Sequence, residues 1–246
     1  MYDIQHIRNK FSDYQKLSST FIETQPHPVL VLDDFLPIET AHTLQQECES
    51  IPAEHWTEFT RRGSYMKECK NLDYSPEAVK IVNQLNSGQS LKWLEKITGI
   101  QGLLPDPHLT GAGYSRSFNG DSLKVHTDFN WNEELRLHRK LTLIVYLSKE
   151  WQEEYGGHIE FYDDTNTNLI KKIFTRFNRC VIWQYHKTGF HGYPTPIQCP
   201  NHLSRNTLRL FYYVSNSQYL EDDPPHRSLY WYNTDTNTAY DNRTHK

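Results

Sequence analysis

Three residues in this chain have the types and spacing to hold a metal ion. His126 and Asp128 stand two apart in Lys124-Val-His-Thr-Asp-Phe-Asn130. In a β-strand, or at its immediate end, positions i and i+2 point to the same side. An imidazole nitrogen and a carboxylate oxygen can then meet one ion. A second histidine, on a strand crossing the same space, would complete a 2-His-1-carboxylate set, which leaves three coordination positions open and suits non-haem Fe(II). His191, in Gly189-Phe-His-Gly-Tyr193, is the candidate. The triad alone is weak evidence. The chain has 13 histidines, so a further one downstream was to be expected.

Positioning these side chains requires strands, and from residue 110 the sequence supplies them. Eight short β-rich runs follow, at 110–118, 122–129, 140–148, 157–163, 169–174, 179–184, 188–193 and 205–214, each bounded by Gly, Asn, Asp or Pro. His126 lies on the second run and His191 on the seventh. Upstream, residues 1–24 are polar with weak helical periodicity, an outer helix or a loose arm. Pro28–Asp33 is a short apolar strand, and Pro37 opens an amphipathic helix to about Ser50. Residues 74–98 carry one or two more helices, with Val79, Ile81, Val82, Leu85, Leu91 and Leu94 apolar. The expected class is mainly β with flanking helices (α+β), around a double-stranded β-helix, or jelly-roll, core. At 246 residues a single domain over 1–246 is expected. Residues 1–109 would be mostly helical support with the strand at 28–33, residues 110–216 the catalytic core, and 217–246 a polar tail with an aromatic cluster, Tyr230, Trp231 and Tyr232.

Composition narrows the functional classes. With 16 Tyr, 11 Phe and 6 Trp, the chain can bury an aromatic core on pleated surfaces. A formal net charge of −4 gives no broad attraction to nucleic acid or anionic lipid. Cys48, Cys69, Cys180 and Cys199 lie far apart, without C-x-x-C spacing, which argues against a zinc knuckle or a redox dithiol and fits reduced thiols. The N-terminus lacks a basic start followed by an apolar run, and no stretch approaches the roughly 18 apolar residues of a membrane span. A soluble, cytoplasmic protein is expected.

Six ordered segments raise the specificity well above that of the triad. His126-Thr-Asp-Phe-Asn130 is followed by Leu141-Thr-Leu-Ile-Val-Tyr-Leu147 with Lys149-Glu-Trp151, and then by Tyr155-Gly-Gly-His-Ile-Glu160. Phe177-Asn-Arg-Cys-Val-Ile182, His191-Gly-Tyr-Pro194 and Arg205-Asn-Thr-Leu208 close the series. Over residues 111–216 this order resembles the prolyl-4-hydroxylase-like branch of the 2-oxoglutarate/Fe(II)-dependent oxygenases, in particular its stand-alone bacterial members. Pro28–Pro37 resembles the strand and turn before the first helix of that family. Residues 52–108 and the tail show no such match.

The resemblance implies Fe(II), 2-oxoglutarate and O2 as cofactor and co-substrates, with ascorbate as a reductant, and release of succinate and CO2. His126, Asp128 and His191 would be the metal ligands. The distal carboxylate of 2-oxoglutarate calls for a guanidinium making paired hydrogen bonds, and the family places that arginine at Arg205, where the final strand begins. Thr207 shares its face, and Tyr146 matches the position whose phenol reaches the same carboxylate. Arg209 competes with Arg205, but lies four residues, roughly 13 Å, further along. Asp128 favours hydroxylation over halogenation, since related halogenases carry Gly or Ala there. Gly156-Gly157 is expected to shape a turn.

The substrate stays open between a free small molecule, favoured here, and a prolyl or other protein side chain. A non-catalytic or differently metallated cupin-like binding protein is the third reading, and it has no need for Arg205 with Thr207. Arg116 and Trp131 are candidate substrate contacts, with Lys124 and Arg136 near the same expected mouth.

Overall fold

The computed structural model describes residues 3–215 and 223–230. Its first third is helical with β insertions. Helices α1 (Asp3–Lys10) and α2 (Tyr14–Glu23) lead into strand β1 (Val29–Leu32), followed by α3 (Ile38–Ser50). A hairpin, β2 (Thr57–Arg61) and β3 (Ser64–Cys69), precedes α4 (Pro76–Leu85) and α5 (Gly88–Thr98). Local chemistry sets these ends: Pro76 opens α4, while Ser87 accepts from the Ser90 N–H and Gly99 closes α5 in the left-handed conformation. The loose-arm alternative for residues 1–24 does not hold, because α2 packs on α5 and β1.

The remaining strands are β4 (Leu104–Pro105), β5 (Gly113–Ser117), β6 (Leu123–Thr127), β7 (Trp131–Asn132), β8 (Leu137–Tyr146), β9 (Ile159–Tyr162) and β10 (Leu169–Ile173). β11 (Cys180–Gln184), β12 (His191–Tyr193), β13 (Arg205–Val214) and β14 (Leu229–Tyr230) complete them. All eight β runs expected from residue 110 onward are present. The larger sheet runs β1-β11-β8-β13-β5-β3-β2, with β4 beside β13 and β7 beside β8; the smaller runs β10-β9-β12-β6-β14. One face of the larger sheet is sealed by the helices, through a core that includes Leu44, Trp93, Tyr114, Leu143, Leu208 and Tyr212. Between the two sheets lies a second cluster, with Ile144, Tyr146, Phe161, Val181 and Trp183. Central strands β8 and β13 are therefore apolar on both faces along much of their length.

One expectation needs correction. Residues 52–108 are more than helical support, since the β2–β3 hairpin extends the large sheet through β3 and β5. The signal was the alternation around Arg62-Gly63, both at positive φ, which a two-residue hairpin turn requires. Within the expected tail, residues 223–230 are ordered, and β14 pairs with β6. Trp231 and Tyr232 lie outside the described residues. Among the described residues, no helix is long and apolar enough to cross a membrane.

Candidate active site

β6 and β12 are neighbours in the smaller sheet, and His126 stands directly opposite His191 across that pairing. The pairing is close because residue 192 is glycine: a Cβ there would meet the Leu123 carbonyl oxygen at 2.6 Å. Asp128 follows just beyond the end of β6, two residues from His126. The structure thus brings His126, Asp128 and His191 together, all buried, with one ligand atom from each lying within 4.8 Å of the others. The Nδ1 of His126 lies 2.9 Å from the Lys124 carbonyl oxygen, and that of His191 2.8 Å from the Gly189 oxygen. Each Nδ1–H donates to its carbonyl, so each Nε2 lone pair is left for an ion. Those Nε2 atoms sit 3.8 Å and 3.6 Å from the Asp128 carboxylate oxygens.

Electrostatics favour the ligand forms. Burial, helped by the nearby His191, drives His126 down to about 4, so its imidazole is neutral. Burial would raise the Asp128 carboxyl, but the Arg139 charge and the two imidazoles outweigh it and hold the group below its ordinary value. Arg139 was missed in the sequence. It is fully buried, donates to Asp128 Oδ2 at 2.9 Å and to Thr142 Oγ1 at 2.6 Å, and lies between the Phe129 and Phe211 rings. Simple alternation on β8 would put Arg139 on the helix side, with Leu141 and Leu143. A register irregularity opposite Tyr212 and Tyr213 leaves Lys140 as the extra residue and turns Arg139 towards Asp128.

Across the cavity, β13 presents Arg205, Thr207 and Arg209 on one face. Arg205 is buried; its Nε donates to the Gly157 carbonyl oxygen at 2.6 Å and one Nη to the Tyr146 hydroxyl at 3.2 Å. Its guanidinium also lies over the Tyr146 and Tyr193 rings. Gly157 does more than shape a turn, because a Cβ there would stand 2.8 Å from Arg205 Cδ. The Thr207 hydroxyl bonds Ser115 at 2.6 Å. Arg209, by contrast, pairs with Glu68 of the hairpin at 2.7 Å.

Triad and arginines line one cavity of about 630 Å³. Trp131 lines its mouth, but the other proposed mouth residues do not. Arg116 points to the opposite face of β5, bonding Asn206 and the Cys48 carbonyl oxygen beneath the Trp56 ring. The period-2 alternation of β5 turns Ser115 and Ser117 inward and Tyr114 and Arg116 towards the helices. Lys124 reaches the Pro194 carbonyl at 3.4 Å, and Arg136 caps the Trp131 ring from a turn.

Residues 225–230 form a further wall, of which the sequence signalled only the aromatic cluster that begins at Tyr230. Tyr230 is buried and stacks on His126, with ring centroids 5.1 Å apart. His226 holds this segment in place: its N–H donates to Asn130 Oδ1 at 2.8 Å, and its ring meets the Tyr185 hydroxyl at 3.0 Å.

Residues 112–213 match the family model described as the 2OG-Fe(II) oxygenase superfamily. A curated relative, prolyl 3-hydroxylase OGFOD1 of Mus musculus, is 29% identical over 122 residues, 48% of this chain and 19% of that protein's length. Two solved structures show the same fold. One is a prolyl hydroxylase in complex with a hypoxia inducible factor peptide fragment from Trichoplax adhaerens, with TM-score 0.60, 14% identity, and 83% of this chain and 92% of that one covered. The other is the non-haem α-ketoglutarate-dependent epimerase SnoN from nogalamycin biosynthesis, with TM-score 0.59, 11% identity, and 89% and 85% covered.

Proposed function

We propose that this protein is an Fe(II)- and 2-oxoglutarate-dependent hydroxylase of a small molecule, of the prolyl-4-hydroxylase-like, stand-alone type. One observation carries the reading: a buried His-Asp-His triad and a buried arginine face each other across a single cavity. Two imidazoles whose Nδ1 atoms are taken up by backbone carbonyls, with one carboxylate beside their Nε2 atoms, are the donor set of a facial triad for Fe(II), so the residues fit the metal. His126, Asp128 and His191 would hold it. With O2 and 2-oxoglutarate, the bound iron supplies an oxidant able to hydroxylate an unactivated C–H bond, with succinate and CO2 as products.

The chain's own residues do the positioning. Arg139 fixes the Asp128 carboxylate by a charge-assisted hydrogen bond. Arg205, braced by Gly157 and Tyr146, would take the distal carboxylate of 2-oxoglutarate, and Thr207 would add a hydroxyl beside it. Phe161 and Trp183 pack against the His191 ring and Tyr230 against His126, which keeps water from the back of the ligands.

A small-molecule substrate is supported by the enclosing walls, where the hairpin and residues 225–230 narrow the cavity on two sides. The second reading, hydroxylation of a prolyl or other protein side chain, draws on the names of the relatives. Succinate formation from Fe(II), 2-oxoglutarate and O2 tests both. The protein is incubated with a library of small molecules and, separately, with prolyl peptides. Stimulation by peptides alone would displace the small-molecule reading; stimulation by neither set would count against catalysis of this kind.

A further inference from the structure

The lining of the cavity is unusually cationic for an acidic chain. Five guanidiniums face it, those of Arg61, Arg139, Arg205, Arg209 and Arg227, against the carboxylates of Glu68, Asp128 and Glu133. Fe(II) and dianionic 2-oxoglutarate would cancel each other, so the surplus of two positive charges persists when both are bound. Not all five arginines are equivalent. Arg205 is set for the co-substrate and Arg139 is committed to Asp128 and Thr142. Arg61 and Arg227 are exposed at the rim.

Arg209 differs from all of these. Its side chain is 15% exposed and stands mid-strand on the cavity face of β13, between Thr207 and Phe211. One Nη donates to Glu68 Oε1, and the other meets only the Met66 sulfur, a weak acceptor, at 3.9 Å. The buried Nε meets no acceptor among the described residues. A guanidinium has five N–H donors in a rigid fork matched to carboxylate geometry, and this one has a single firm bond. It sits about 13 Å along the strand from Arg205, too far to share the carboxylate held there. The cavity it faces is also lined by the aromatic rings of Phe59, Phe129, Trp131 and Phe211.

We propose that the substrate is an apolar or aromatic carboxylic acid, and that Arg209 receives its carboxylate. This rests on the small-molecule oxygenase reading above. The two guanidiniums of β13 would then divide the work, Arg205 holding the co-substrate and Arg209 orienting the substrate so that its apolar body lies across the metal centre. Glu68 keeps the Arg209 fork in place, and its single contact leaves the other donors for the ligand. Arg61 and Arg227 at the rim attract the anion.

The experiment uses the full chain loaded with Mn(II) and saturating 2-oxoglutarate, so that the co-substrate site is filled and no turnover occurs. Probes are phenylacetate, indole-3-acetate, hexanoate and N-acetyl-L-leucine, each beside its primary amide. Binding near the metal is read as paramagnetic relaxation of probe protons. We expect at least one acid to bind roughly tenfold or more tightly than its amide, as loss of a charge-assisted hydrogen bond implies. Arg209→Gln should abolish that preference, Arg209→Lys should restore part of it, and Glu68→Gln should strengthen it by removing the competing carboxylate. If Arg209→Gln does not fold, the Lys and Glu68→Gln variants decide. Acids and amides binding alike would overturn the inference and leave the small-molecule reading standing. A preference that survives loss of the guanidinium, or acids that show no relaxation by the metal, would also overturn it. Prolyl peptides driving succinate formation while no probe binds would instead remove the reading on which it rests.

Discussion

The two ends of the cavity are built by different means. At the end proposed to hold the metal, the candidate ligands come from two paired strands of the inner sheet, all of them buried, and both imidazoles and the carboxylate are held by further bonds. At the other end, the walls come from the β2–β3 hairpin and residues 225–230, which are half-buried or exposed over much of their length. Geometry at the first end is set by the core of the fold. At the second it is set by segments added to the edges of the two sheets, where a change of sequence disturbs little else. A fold can hold its chemistry constant and vary its substrate when the two are divided in this way.

The sharpest test of that division is to remove the ligands. His126→Ala, Asp128→Ala and His191→Ala should each reduce substrate-coupled succinate formation to background. Stability should separate them. Asp128→Ala leaves Arg139 buried without its counter-charge, a loss of about 3–5 kcal/mol, whereas the two histidine variants should unfold at urea midpoints closer to wild type. Equal midpoints for all three would mean that the Arg139–Asp128 pair does not anchor this end.

Next in size is the arginine proposed for the co-substrate. Arg205→Ala should weaken 2-oxoglutarate binding by about 2–3 kcal/mol, roughly a 30- to 150-fold rise in Kd. Arg209→Ala should change it little. Titration showing the larger loss at Arg209 would reverse the assignment of the two ends.

A third test uses pH. His27 is buried behind His191, with its Nε2 donating to the Tyr162 carbonyl oxygen at 2.9 Å, and burial and the neighbouring His186 lower it to about 4. Its folded value lies below the ordinary 6.5. Stability is therefore complete above about pH 6.5 and is lost as pH falls from there towards 4. The expected loss is about 2 kcal/mol between pH 7 and pH 5. In denaturant melts at pH 7 and pH 5, His27→Gln should show a smaller difference than wild type; an equal difference would place the acid sensitivity elsewhere.

The smallest effect is expected where the two ends touch. Tyr230→Ala removes the ring stacked on His126, about 0.5–1.5 kcal/mol beyond its burial. Mn(II) affinity should fall by up to roughly tenfold, while Tyr230→Phe stays near wild type. Unchanged affinity in Tyr230→Ala would show that residues 225–230 serve the substrate end alone.

What could be read in the sequence follows the same line. The eight strands of the core were legible because short β-rich runs end at Gly, Asn, Asp or Pro, and His126-x-Asp128 was legible because period-2 spacing needs no tertiary information. Arg139 was not, because the extra residue at Lys140 reverses the alternation and only the pairing with β13 shows it. Arg116 was misplaced for the opposite reason, since simple alternation does hold on β5 and turns it away. Residues 225–230 carried only an aromatic cluster as a signal, and their pairing with β6 is a long-range contact that local pattern does not encode.

That short pairing has a consequence for handling the protein. Without β14, the strand carrying His126 would be the outer edge of its sheet, with a row of unpaired N–H and C=O groups open to another chain. The two residues of β14 act as a guard on that edge. Cutting the chain before residue 223 would therefore be expected to expose a sticky strand beside the metal ligands, and to cost solubility as well as any selectivity for substrate.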